Sequence, residues 1–166
     1  MGGDSVIKER VLREHLRYLL DGNGAHVSFD QAVADLPQKL LGKRAPGVPH
    51  TLWQLVEHLR IAQWDILEFS RNPRHVSPEF PKGYWPASDS PASAAAWKRS
   101  VAGFRSDLAG LKKLAKDPAL DLFAPLPHGD GQTLLREILL AADHNAYHIG
   151  EIVILRRSLG AWKGAR

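Results

Sequence analysis

The sequence contains no cysteine in 166 residues. That absence excludes disulfides, thiolate metal sites and cysteine nucleophiles together. Long apolar runs are missing too, and no stretch approaches the eighteen or more residues of a membrane-spanning helix. The opening residues carry Asp4, Lys8, Glu9 and Arg10 where an export signal needs an apolar run, so a cytoplasmic protein with no membrane partner is expected. Alternating strand patterns, internal repeats and low-complexity tracts are also absent, which leaves an all-α reading. Charge of one sign is scarce: 22 Lys and Arg face 18 Asp and Glu, a net +4. The basic residues are interleaved with acids, and only Lys98-Arg99 with Arg105 and Lys112-Lys113 with Lys116 concentrate locally. No aromatic residues alternate with them as stacking on bases would want, so they read as a solvated helix face and no nucleic-acid partner is expected.

What is present fits one domain over residues 1–166, with a 44% hydrophobic content that suffices for a core. Ile7, Val11, Leu12, Leu16 and Leu19 recur at helical spacing and predict a helix from Val6 to Leu20, with Ser5 as its cap and Gly22 and Gly24 as stop signals. A shorter helix is expected near Phe29 to Leu36, broken by Pro37. Thr51 and Gln54 form a capping box for a second principal helix, whose inward stripe is Leu52, Leu55, Leu59, Ala62, Ile66 and Phe69. A long proline- and aromatic-rich connector follows, which must cross the bundle or cover something. Ser90-Pro91 predicts the start of a third helix with the stripe Trp97, Val101, Phe104, Leu108, Leu111 and Ala115. Thr133 begins a fourth, striped by Leu134, Ile138, Ala141, Asn145, His148, Ile152 and Leu155. The pattern predicts a four-helix bundle with long crossover connections.

Two histidines four apart on that last helix, His144 and His148, lie one turn apart on nearly one azimuth, so both rings can reach a single ion. His58 borders the buried stripe of the second helix. A buried imidazole needs a partner. One metal shared by three rings supplies it, and so do three separate hydrogen bonds to carboxylates or carbonyls; spacing does not choose between them. Glu151 lies on the side of His144. Asp65 and Asp143 read as surface charge, as do His15, His26, His50, His75 and His128 as surface or capping residues. Trp97 reads as core, while Trp85 either caps the pocket or simply packs.

The segments Thr51-Leu52-Trp53-Gln54-Leu55-Val56-Glu57-His58-Leu59 and His144-Asn145-Ala146-Tyr147-His148-Ile149-Gly150-Glu151-Ile152, with Arg156-Arg157-Ser158-Leu159-Gly160, resemble the DinB-like family. The likeness runs over nearly the whole chain, including Tyr84-Trp85-Pro86. It implies the DinB/YfiT-like four-helix bundle, a homodimer, and a zinc or nickel ion held by His58, His144 and His148. Glu151 departs from the glutamine found in many relatives, and could supply a base or a fourth oxygen ligand.

Three neutral imidazoles leave a divalent ion one open position, the pattern of catalytic rather than structural zinc. A water there can be activated for hydrolysis, with Glu151 as the base. The same position can hold the sulfur of a low-molecular-weight thiol for transfer to a small-molecule substrate, as the family's thiol-using members suggest. Basic residues of the third helix, with Arg156 or Arg157, could then receive the cofactor's carboxylates. The third reading is non-enzymatic: a stress-associated protein that uses its metal to fasten two helices.

Overall fold

Four amphipathic stretches and one short turn become helices in the computed structural model: α1 (Gly2–Asp21), α2 (Phe29–Val33), α3 (Leu52–Arg71), α4 (Ala94–Lys116) and α5 (Leu134–Ser158). The structure describes residues 2–22 and 24–163, the side chains of residues 2–5 excepted. No strand occurs among the described residues, whose one extended pairing is an isolated bridge between Pro125 and Thr133.

Local chemistry sets most of the helix ends. Thr51 Oγ1 accepts from the Gln54 amide while the Gln54 side chain returns to the Thr51 amide, so the expected capping box forms. Ser28 and Gln31 build a second box at α2, which is shorter than expected because Ala34 is already extended, at ψ 141°, and Asp35 then turns left-handed at φ 52°. Gly22, at φ +67°, ends α1.

Three further expectations fail. α4 is capped by Ser93, not Ser90, because residues 88–90 are tied to the start of α3: Thr51 Oγ1 donates to Asp89 O, and the Asp89 carboxylate binds Arg44 and Gln54. α1 begins at Gly2, which puts Ser5 inside the helix, and the Ser5 side chain lies outside the described residues. The α1 stripe is also rotated, since Ile7, Val11 and Leu19 are exposed while Leu16, Leu20 and Arg13 are buried. The guanidinium of Arg13 donates to Ala115 O in the last turn of α4, where helix carbonyls favour a cation, and to Leu120 O in the connector that follows.

The core divides into two apolar halves. One joins Leu52, Leu55, Leu59, Val101, Phe104, Ile152 and Leu155 with α2. The other joins Ile66, Leu67, Leu111, Ala115, Leu134, Ile138 and Ala141 with Leu16 and Leu20. Full burial of each such Leu or Ile contributes about 1.5–3 kcal/mol relative to exposure. α3 and α4 therefore both run from the first half to the second, and α5 runs back. Gly110 lets α3 and α4 approach: a Cβ there would meet Leu67 Cδ2 at 2.7 Å. Two helices running the same way cannot be joined by a tight turn. The connector from 72 to 93 must return along the bundle, and on its way it covers the polar layer between the two halves.

Candidate metal centre

That middle layer is built from α3 and α5. Its buried polar side chains are His58, Gln63 and Asp65 on α3 and Asn145 and His148 on α5, with half-buried His144 beside them. His58 Nε2 lies 3.0 Å from His144 Nε2 and 3.1 Å from His148 Nε2. The three histidines form a group whose ligand atoms could hold a metal ion. A tetrahedral ion bonded to imidazole nitrogens at about 2.0–2.1 Å needs those nitrogens about 3.3 Å apart. The observed spacing fits such an ion with slight closing of the angle.

The outer nitrogens fix the tautomers. His58 Nδ1 faces the backbone carbonyl of Tyr84 at 2.9 Å, and a carbonyl only accepts, so Nδ1 carries the proton. His148 Nδ1 faces Glu151 Oε2 at 2.5 Å and by the same logic donates to it. In the neutral rings both Nε2 atoms then carry lone pairs, 3.1 Å apart. Two lone pairs at that distance repel, and a cation between them relieves the repulsion. A second proton on a ring is a poor solution. Burial chiefly holds the pKa of His58 down at about 4, against the opposing pull of the Tyr84 carbonyl. Burial, then His148 and His58, holds His144 down at about 3. The residues present thus fit a divalent metal.

Glu151 meets the site from behind His148, at Nδ1, on the edge opposite the converging Nε2 atoms. Trp85 lies flat on His58, with centroids 3.9 Å apart and planes parallel at 0°. The other neighbour stacked on Trp85 is His50, at 3.9 Å and 17°. His50, read from sequence as a surface or capping residue, therefore joins the site's wall, and burial lowers its pKa.

Asp65 is another residue that sequence reasoning placed wrongly. It is buried, taking the Tyr84 hydroxyl on Oδ2 at 2.6 Å and His75 Nε2 on Oδ1 at 2.7 Å. Burial, with Asp65 next, pushes the Tyr84 phenol up to about 12, so it stays a donor. Asp65 thereby pins both ends of the segment that presents the Tyr84 carbonyl and Trp85 to His58. The signal available in sequence was an acid on α3 followed by a connector rich in His and Tyr, which alone does not specify pairing.

Other expected contributors lie elsewhere. Arg156 is buried and donates to the carbonyls of Gln31, Ala32 and Ala161, so it fastens α2 and the C-terminal turn rather than receiving a cofactor. On α4, Arg105 pairs with Asp30 and Lys112 with Asp21. Trp97 is partly buried and packs against the first half of the core.

Among the described residues, no helix is long and apolar enough to cross a membrane. No curated protein and no solved structure matches the chain significantly. The family model described as the DinB superfamily does match it, over residues 25–152, a span that takes in all three histidines, Glu151 and the crossover; the chain belongs to the DinB superfamily.

Proposed function

We propose that the chain, as one domain, is a metal-dependent enzyme that holds zinc or nickel on His58, His144 and His148 and acts on a small molecule through the remaining coordination position. The single observation that carries this reading is the convergence of the three rings, with His58 Nε2 3.0 Å from His144 Nε2 and 3.1 Å from His148 Nε2 while Tyr84 O and Glu151 engage the outer nitrogens of His58 and His148. When bound, a divalent ion of this kind supplies Lewis acidity, which deprotonates a thiol outright or activates a water.

The surrounding residues favour the thiol. A metal-bound water is a nucleophile only once deprotonated, and the carboxylates that could assist it are each engaged elsewhere: Glu151 with His148, Asp65 with Tyr84 and His75, and Glu137 with Arg136. A low-molecular-weight thiol needs no such base. Glu151 in this proposal is a positioning residue, keeping the His148 ring in the tautomer that offers Nε2. Trp85 and the Tyr84 carbonyl do the same for His58 and keep bulk water from its ring. A homodimer belongs to the same proposal, supported by the exposed Leu139, Tyr147 and Ile154 along α5.

The test is elemental analysis of protein purified without chelators, alongside the variants His58→Ala, His144→Ala and His148→Ala. About one equivalent of zinc or nickel is expected, lost in each variant. Cobalt-substituted protein should then develop a sulfur-to-metal charge-transfer band on thiol addition. Wild-type protein without stoichiometric metal, or alanine at position 58 leaving uptake unchanged, overturns the metal reading; absence of the band overturns the thiol.

A further inference from the structure

The metal ligands His58 and His144 form one end of a cavity of about 450 Å³ under the crossover. Its walls are apolar: Ile66 and Phe69 from α3, Leu140 from α5, and Trp85 from the connector. Phe80, 84% exposed, stands at its edge. An apolar space of this size beside a reactive centre takes the body of a small molecule and fixes it with a few polar groups.

Those polar groups are unequal in kind. Apart from the His58 and His144 rings, which face the proposed metal position, the carboxylates and the amide oxygen of the lining each already have a donor. Asp65 takes Tyr84 and His75, Glu137 Oε1 takes Arg136 Nη1 at 2.6 Å, and Gln132 Oε1 takes the Asp130 amide at 2.6 Å. What remains is donors. Arg136 is tethered at one corner and half exposed, with Nε and Nη2 uncommitted among the described residues, and the Gln132 amide nitrogen is likewise uncommitted. The Nε and Nη2 edge of a guanidinium is a fork that matches a carboxylate. Glu137, buried beneath it, holds that fork in place.

We infer that this cavity binds an amphipathic organic anion: an apolar body of about one ring with a short chain, whose carboxylate is received by Arg136 and Gln132. The inference rests on the proposed metal centre only for the reacting end of that substrate. The anion-reading end stands on Arg136, Gln132 and the committed acceptors alone.

The experiment is calorimetric titration of 4-phenylbutyrate and of its neutral analogue 4-phenylbutyramide into the zinc-treated and the metal-free protein, with zinc content measured on the same samples. The acid is expected to bind about tenfold or more tighter than the amide in both forms, as a charge-assisted pair implies. In the double variant Arg136→Gln with Glu137→Gln, which leaves no unpaired buried carboxylate, the two should bind alike. Equal binding in the wild type, no binding of either, or a preference that survives in the double variant overturns the inference, the last because the carboxylate would then sit elsewhere, for instance on the metal. Should the double variant not fold, Arg136→Lys retains charge without the fork. There an unreduced preference overturns the inference. A protein that takes up no zinc yet shows the Arg136-dependent preference sinks the metal reading and sustains this one.

Discussion

Replacing Glu151 by glutamine tests how the centre is held. Oε2 accepts from His148 Nδ1 at 2.5 Å, and the side chain is 31% exposed. Glutamine keeps the length and an acceptor oxygen and removes the charge. Hydrogen bonds to charged groups contribute about 1.5–3 kcal/mol and neutral ones about 0.5–1.5 kcal/mol, a difference of roughly 1–1.5 kcal/mol. Partial exposure screens the charge, so about 1 kcal/mol is the better figure, or roughly fivefold in metal affinity. Outer partners of metal-bound histidines generally account for about 10–100-fold, and a solvent-facing carboxylate belongs at or below the lower end. Competition against a chromogenic chelator measures this, with the visible spectrum of the cobalt form recorded in parallel. The expected result is about a five- to tenfold loss for Glu151→Gln, a larger loss for Glu151→Ala, and unchanged cobalt band positions in both. A shifted band pattern would make Glu151 itself a ligand. Affinity unchanged in both variants would mean that this carboxylate does not hold His148, and the reasoning would fail.

Three further outcomes follow from the same contacts. Thr51→Ala removes both the α3 cap and the hydroxyl bond to Asp89 O, a combined loss of about 1–2 kcal/mol that should lower Tm by about 3–6 °C; an unchanged melting curve would refute it. For the metal-free protein, His58 and His144 titrate at about 4 and about 3 when folded and near 6.5 when unfolded. Between those values the unfolded chain binds more protons, so this stability is fully present above about 6.5 and is lost as pH falls toward about 4 for His58 and about 3 for His144. Urea midpoints at pH 7.5 and 5 check the direction, and a midpoint that rises on acidification would contradict it. Asp65→Asn leaves His75 or the Tyr84 hydroxyl facing an amide donor, and unfolding should show a loss of about 1–3 kcal/mol with weakened metal binding. Full retention of both would mean that the connector does not depend on Asp65.

The features legible in sequence were those written at short range. The α3 stripe from Leu52 to Ile66 and the α5 stripe from Leu134 to Leu155 are buried as the 3.6-residue period requires, and His148 lies within the second. His144 and His148 could be paired because a helix places four-apart residues together without help from elsewhere. His58 was harder: its own helix shows only that it borders the core, and the family resemblance supplied its partners. Tyr84 could not be found, since it acts on His58 through a carbonyl that any residue offers. Asp65 read as surface because on an isolated helix its position would face water, and only the returning crossover covers it. α1 misled in the opposite direction, because apolar periodicity does not count a buried arginine. Arg13 draws its edge inward to reach the end of α4, and Ile7 and Val11 turn out to solvent.

The three rings are not equivalent, and the difference bears on which cation the site accepts. His58 and His148 are each held from behind, by Tyr84 O and by Glu151. His144 has no such support: its Nδ1 is buried with no partner, and its ring is placed by α5 and by contacts with the other two at 4.9 and 4.5 Å. A neutral His144 already bears the cost of one unpaired buried polar atom, of about 1–3 kcal/mol. A second proton would add a positive charge and a donor aimed at two neighbouring rings. Burial opposes that charge and, with His148 and His58 next, holds the pKa of His144 down at about 3. A metal ion needs only the lone pair at Nε2 and asks nothing of Nδ1. The missing partner at His144 thus costs metal binding little and proton binding a great deal, so the layer disfavours the small cation and leaves three convergent lone pairs to the larger one.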